Sequence, residues 1–154
     1  MINAIQILEQ KGTEIISVDI NSTVADALQI MLKHKIGAIL VKENDEIKGI
    51  WTERDLMRNV VTEGFYTKES KIKEVMTKTL ISVSHTDTIY QLMDKCVGRK
   101  LRHLLIEKDG KYIGILSAGD ITRAHLLKKT KDFEELSKIA NLDYYENWKW
   151  NKKS

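Results

Sequence analysis

Gly49-Ile50-Trp51-Thr52-Glu53-Arg54-Asp55 is followed, 65 residues further along, by Gly114-Ile115-Leu116-Ser117-Ala118-Gly119-Asp120. In each stretch a glycine leads two apolar residues, then a hydroxyl side chain and, three residues after it, an aspartate. The same displacement holds upstream and downstream: Ile16-Ser17-Val18 falls on Ile81-Ser82-Val83, Thr23 on Thr88, Lys35 on Lys100, Leu40 on Leu105 and Arg58 on Arg123. A register kept without a gap over that distance marks an internal duplication, with copies over residues 13–62 and 78–127. Each copy is too short to bury its own apolar faces, so the two are expected to pack together.

Both copies read as strand, helix, strand, strand, helix. In the first, Thr23 with Asp26 forms a capping box ahead of an apolar stripe of Val24, Ala27, Leu28, Met31 and Leu32. In the second, Thr88 and Gln91 repeat the box before Ile89, Leu92, Met93, Cys96 and Val97. Two β-like runs follow, joined through Glu43-Asn44-Asp45 in copy one and Lys108-Asp109-Gly110 in copy two, the pattern of a hairpin. A polar connection over 62–70 leads to a short helix around Ile72 to Met76, and Ile5 to Gln10 is its counterpart ahead of copy one. The expected architecture is α+β: a first repeat with its N-terminal helix over 1–70, a second over 71–128, and a helical tail over 129–154. That tail carries Phe133, Leu136 and Ala140 at helical spacing, then Trp148-Lys149-Trp150. Its rings are expected to pack on their own domain or on a second copy.

Composition narrows the function classes. The 154 residues hold 25 Lys+Arg against 22 Asp+Glu, a formal charge of +3, with 42% hydrophobic residues, which suits a folded chain and argues against wholesale disorder. Basic and acidic residues interleave, so composition carries no nucleic-acid or membrane signature. The N-terminus has no basic stretch leading into an apolar one, and no apolar run approaches a spanning helix, which reads as a cytoplasmic protein. Cys96 is the one cysteine, and His34, His85, His103 and His125 are scattered, so neither an internal disulfide nor a structural metal is expected.

The duplicated motif sits where a strand hands over to a helix. Such a junction presents N–H groups to an anion, its hydroxyl can bond phosphate or ribose, its glycine lets a ligand come close, and its carboxylate can hold both ribose hydroxyls. The same Thr52/Asp55 and Ser117/Asp120 pairs are also sound capping boxes that need no ligand.

With these motifs the sequence resembles a tandem pair of cystathionine-β-synthase (CBS) domains, the Bateman module, over residues 1–127. The Ile-Ser-Val strands, the Thr-Val-x-Asp-Ala and Thr-Ile-x-Gln-Leu helix starts and Leu101-Arg102-His103-Leu104-Leu105 support the match. The resemblance implies binding of adenosine-containing ligands (AMP, ADP, ATP, NAD(H) or S-adenosylmethionine) in two clefts between the copies, a regulatory rather than catalytic role, and a homodimer acting on an unidentified regulated protein. It implies that Asp55 and Asp120 hold ribose, and that Thr52 and Ser117 bond ribose or phosphate. The Asp120 cleft would take adenine between Ile16-Ser17 and Ile36-Gly37-Ala38. The Asp55 cleft would use Ile81-Ser82 and Leu101-Arg102-His103. Arg54, Arg102, His103 and Arg123 are the candidates for phosphate. Where the family often has a proline in each central strand, this chain has Leu40 and Leu105. Glu53-Arg54 against Ala118-Gly119 makes the two clefts differ in charge.

The remaining residues carry less. Cys96 lies on the stripe position of Met31, so packing is expected rather than nucleophilic chemistry. His34, His85 and His125 read as solvent-facing, as do Arg58 and Arg123 by helix-surface preference. No nucleophile with a base, no metal set and no P-loop points to an enzyme. The rivals are a ligand-free scaffold recruiting a partner through its tail, and a nucleic-acid-binding module.

Overall fold

The computed structural model describes residues 1–137. The chain runs α1 (Ala4–Lys11), β1 (Ser17–Asp19), α2 (Val24–His34), β2 (Ala38–Glu43), β3 (Glu46–Thr52), α3 (Glu53–Asn59), α4 (Ile72–Val75), β4 (Ser82–Ser84), α5 (Ile89–Gly98), β5 (His103–Lys108), β6 (Lys111–Ser117) and α6 (Ala118–Ser137). Each copy therefore has the expected β-α-β-β-α order. Ala140 and Trp148-Lys149-Trp150 lie outside the described residues.

Local chemistry accounts for the helix ends. Thr23 Oγ1 accepts from the Asp26 N–H at 3.2 Å while the Asp26 carboxylate accepts from the Thr23 N–H at 2.9 Å, opening α2; Thr88 and Gln91 do the same for α5. Lys35 and Lys100, at equivalent positions beyond these helices, both take the left-handed conformation with φ 53.

The two copies form two three-stranded sheets, β1-β2-β3 and β4-β5-β6. Their registers repeat at the sequence displacement: Ser17 and Leu40 pair in parallel as Ser82 and Leu105 do, and Leu40 pairs antiparallel with Ile50 as Leu105 does with Ile115. Asn44-Asp45 and Asp109-Gly110 make the hairpin turns, all four with positive φ, which matches the twist of the flanking strands.

One apolar core gathers Val24, Ala27 and Met31 of α2 with Ile39, Val41 and Trp51; the other gathers Ile89 and Leu92 of α5 with Leu104, Ile106 and Leu116. Leu40 and Leu105 are buried on the opposite face of their strands, outside both of these clusters. Side chains from the connecting helices cross over. Ala4, Ile7 and Leu8 of α1 precede copy one but complete the core of copy two, whereas Ile72 of α4 precedes copy two and completes the core of copy one. Backbone bonds fix both crossings, with Ala4 N–H donating to Asp87 C=O at 2.8 Å and Ile72 N–H donating to Ser22 C=O at 2.9 Å.

The crossings explain the motif glycines, and here the expectation that they admit a ligand is corrected. A Cβ on Gly49 would stand 2.5 Å from Met76 Sδ and 3.0 Å from the Thr77 carbonyl, and one on Gly114 would stand 2.6 Å from Leu8 Cδ1. The glycines leave room for the crossing segments.

His125 is also corrected. It is half-buried on α6, edge-on to Tyr90 with ring centroids 5.7 Å apart, and its Nδ1 has no hydrogen-bond partner among the described residues. The copy-two helix runs 20 residues and packs along α5, covering a position that a short helix like α3 leaves open. His85 is half-buried and His34 exposed. Cys96 packs against the second core, where burial pushes its thiol up and disfavours the thiolate. Among the described residues no helix is long and apolar enough to cross a membrane, and no group of ligating side chains could hold a metal ion.

Candidate functional site

At the junction of β3 and α3, Thr52 caps the helix. Its N–H donates to Asp55 Oδ2 at 3.0 Å, its hydroxyl donates to the same oxygen at 3.1 Å, and the Asp55 N–H donates back to Thr52 Oγ1 at 3.3 Å. The box is thus made in full, yet it uses one carboxylate oxygen only. Oδ1 is left facing the exposed Arg58 guanidinium at 3.6 Å, an ion pair too long for a hydrogen bond. The first N–H of α3, from Glu53, donates to the Gly37 carbonyl at 3.0 Å and draws the approach to β2 against the helix start.

This junction forms one wall of a cleft of about 350 Å³, within the size range of small-molecule sites. Thr52, Arg54, Asp55 and Arg58 come from copy one; Ile81, Leu101, Arg102 and His103 come from copy two. Ile50, Leu80, Ile81, Leu101 and Leu105 supply apolar surface, and Thr77 and Thr79 add hydroxyls. Arg54, Arg58, Lys100 and Arg102 give four cations against the carboxylates of Glu53 and Asp55. Arg54 and Arg102 also border an adjoining hollow beside Cys96 and Ile121.

The copy-two junction has the same scaffold and a different occupant. The Ser117 N–H donates to Asp120 Oδ2 at 2.8 Å, the Asp120 N–H donates to Ser117 Oγ at 3.0 Å, and the Ala118 N–H donates to the Arg102 carbonyl at 2.8 Å. Lys11, the last residue of α1, reaches across and donates from Nζ to Asp120 Oδ2 at 2.8 Å and to the Ile115 carbonyl at 2.9 Å. Burial pushes the Asp120 carboxyl up, but the Lys11 ammonium and the Ser117 donors outweigh it and hold it below the usual carboxylate range. His103, lining the Asp55 cleft, is pushed below the usual histidine range by burial and next by the Lys11 ammonium, which favours the neutral imidazole.

Of the residues singled out from sequence, Thr52, Arg54, Asp55, Ile81, Leu101, Arg102 and His103 come together around one cleft. Gly37 joins them rather than the Asp120 side, because its carbonyl is tied to Glu53. Ser82 is not among the residues lining that cleft; its hydroxyl donates to Glu107 at 2.9 Å. Ile16 immediately precedes β1 and Ser17 opens it, Ile36 packs on the copy-one core, and Ala38 is buried opposite Thr52 in the β2–β3 ladder. Arg123 is exposed, one turn beyond Asp120 on α6. Arg58 is exposed, as expected, and also lines the rim of the cleft. Lys100 and Lys11 were missed. Lys100 was visible as the repeat partner of Lys35; Lys11 precedes the first copy and had no signal beyond its charge.

The sequence matches the CBS domain family over residues 11–62 and again over 72–127. It is a CBS-domain pair. The mitochondrial CBS domain-containing protein CBSX3 of Arabidopsis thaliana is 31% identical over 122 residues, covering 76% of this chain and 59% of that protein. Thus the CBS pair spans under two thirds of this relative's length. A CBS-domain containing protein of Agrobacterium tumefaciens has a similar structure, with TM-score 0.75 at 32% identity, covering 80% of this chain and 99% of that one. A CBS domain protein of Pyrobaculum aerophilum, complexed with AMP, shares the fold with TM-score 0.68 at 22% identity, covering 84% of this chain and 99% of its own. CBS-domain pairs are generally regulatory rather than catalytic.

Proposed function

We propose that this CBS pair is a regulatory module that binds an adenosine nucleotide in the Asp55 cleft and passes its occupancy to a protein partner. The observation that carries the reading is the unsaturated Oδ1 of Asp55, at the wall of a 350 Å³ cleft shared by both copies. That oxygen can accept from ribose hydroxyls while Oδ2 keeps the helix capped. The apolar surface of Ile81 and Leu101 suits an adenine ring, and the backbone of Leu101-Arg102-His103 offers polar groups for its edge. Arg54, Arg58, Lys100 and Arg102 favour the phosphate-bearing ligands AMP, ADP, ATP and NAD(H) over the cationic sulfonium of S-adenosylmethionine. The AMP held by the Pyrobaculum relative is consistent with this ligand class.

Because the cleft is walled by both copies, a ligand that fits one relative placement better shifts the pair toward it, and that change is what a partner can read. The exposed Val60, Val61, Leu126 and Leu127 are surface that a second copy would bury, in keeping with a homodimer. Titration calorimetry with AMP, ADP, ATP, NAD and S-adenosylmethionine tests the reading. The expected result is binding of a phosphate-bearing ligand, weakened at least tenfold by Asp55→Asn, which leaves the box geometry but removes the charge. Equal binding by the variant overturns the site, and no binding of any of the five favours a scaffold.

A further inference from the structure

Across the duplication Asp55 and Asp120 are equivalent, yet only Asp120 is engaged by a cation from another element. Lys11 Nζ spans Asp120 Oδ2 and the Ile115 carbonyl, so it lies across the motif itself rather than on its solvent edge. The Asp120 side chain is 14% exposed and that of Lys11 34%, so the pair is partly shielded from water. The residue of copy two equivalent to Lys11 is Met76, which carries no charge.

We infer that Lys11 is the residue that makes the two junctions unequal: its ammonium latches Asp120 through Oδ2 and neutralises the carboxylate whose Oδ1 a ribose would use, so a ribose binds well there only after displacing it. The chain therefore takes one nucleotide, in the Asp55 cleft, until the latch opens. This rests on the nucleotide reading above. Opening does not require α1 to leave. Ala4, Ile7 and Leu8 anchor that helix in the copy-two core, whereas Lys11 is its last residue and Gly12 follows with φ 113, so the side chain alone can swing away. A ligand with phosphate could draw Lys11 off Asp120 as it enters, which makes release depend on nucleotide concentration.

The test is calorimetric stoichiometry with AMP and with ATP on wild type, Lys11→Met and Lys11→Arg. The expected result is one site in wild type and Lys11→Arg, weakened at least tenfold by Asp55→Asn, and two sites in Lys11→Met, the second weakened likewise by Asp120→Asn. The second site should tighten at least about tenfold, corresponding to ~1.4 kcal/mol. Two equal sites in wild type, or one site in Lys11→Met, overturns the latch while leaving the nucleotide reading intact. No binding to any of the proteins overturns that reading and the gating role with it. An NMR titration of His103 supplies a readout without ligand. Lys11, Asp120, Glu53 and Arg102 are the charges acting on it, and removing Lys11 should raise its pKa. An unmoved His103 would mean that the ammonium is not at Asp120 in solution, and the latch would fall.

Discussion

Asp55 and Asp120 occupy the same place in two copies of one motif and meet different charges, so equal sequence does not mean equal chemistry. His103, which lines the Asp55 cleft, lies close enough to Asp120 and Lys11 to feel that pair. Burial and the Lys11 ammonium lower its pKa, with Asp120 and Glu53 opposing. A histidine whose folded pKa lies below its unfolded value of about 6.5 binds more protons unfolded than folded, so stability falls as pH drops below that value. The penalty is absent at pH 8 and grows until pH falls beneath the folded pKa. Thermal midpoints should therefore decline from pH 7.5 to 5.5 in wild type, and more shallowly in His103→Gln. Parallel profiles would remove His103 as the cause. Asp120 acts in a lower window: its depressed pKa stabilises above about 3.9, and that contribution disappears as pH falls through the folded value.

Among the elements, the strand-to-helix junctions show what was legible and what was not. The capping boxes at Thr23, Thr52, Thr88 and Ser117 could be read directly, because a hydroxyl and a carboxylate or amide three residues apart satisfy each other within one turn. The strand order followed from the duplication and the alternation of apolar residues. What could not be read was the exchange of α1 and α4, since spacing along the chain does not say which core a flanking helix enters. Gly49 looked like a ligand-facing residue for the same reason: the Met76 and Thr77 that cross it come from a segment 27 residues away. Gly49→Ala should destabilise the protein by about 1–3 kcal/mol, as an added methyl in a filled site does. Both a side chain and the Thr77 carbonyl, which accepts from Ile50, stand in the way. Chemical denaturation measures this, and an unchanged midpoint would show that the crossing segment has room to shift.

At the scale of the whole molecule, the exchanged helices make each copy depend on a segment that belongs, by chain order, to the other. The core of copy two includes Leu8, and the residues after Leu8 lead through Gly12 into β1 of copy one. The core of copy one needs Ile72, which leads into β4. Loss of either core therefore frees an end of the other, and the two should unfold in one step. Leu8→Ala tests this because its cavity lies entirely in copy two, where Leu8 is 2% exposed. Such a truncation costs about 2–5 kcal/mol, which moves a urea midpoint down by roughly 1–2 M. The reporter sits in the other core: Trp51 is fully buried in copy one, with its Nε1–H donating to Asn59 at 2.9 Å. In a background where Trp148 and Trp150 are phenylalanine, Trp51 fluorescence and far-UV circular dichroism should shift together on Leu8→Ala. If Trp51 keeps its wild-type midpoint while part of the dichroism is lost earlier, the copies unfold separately. The exchanged helices would then align the cleft walls without coupling their stability, and a signal from a bound nucleotide would have to travel through the cleft contacts alone.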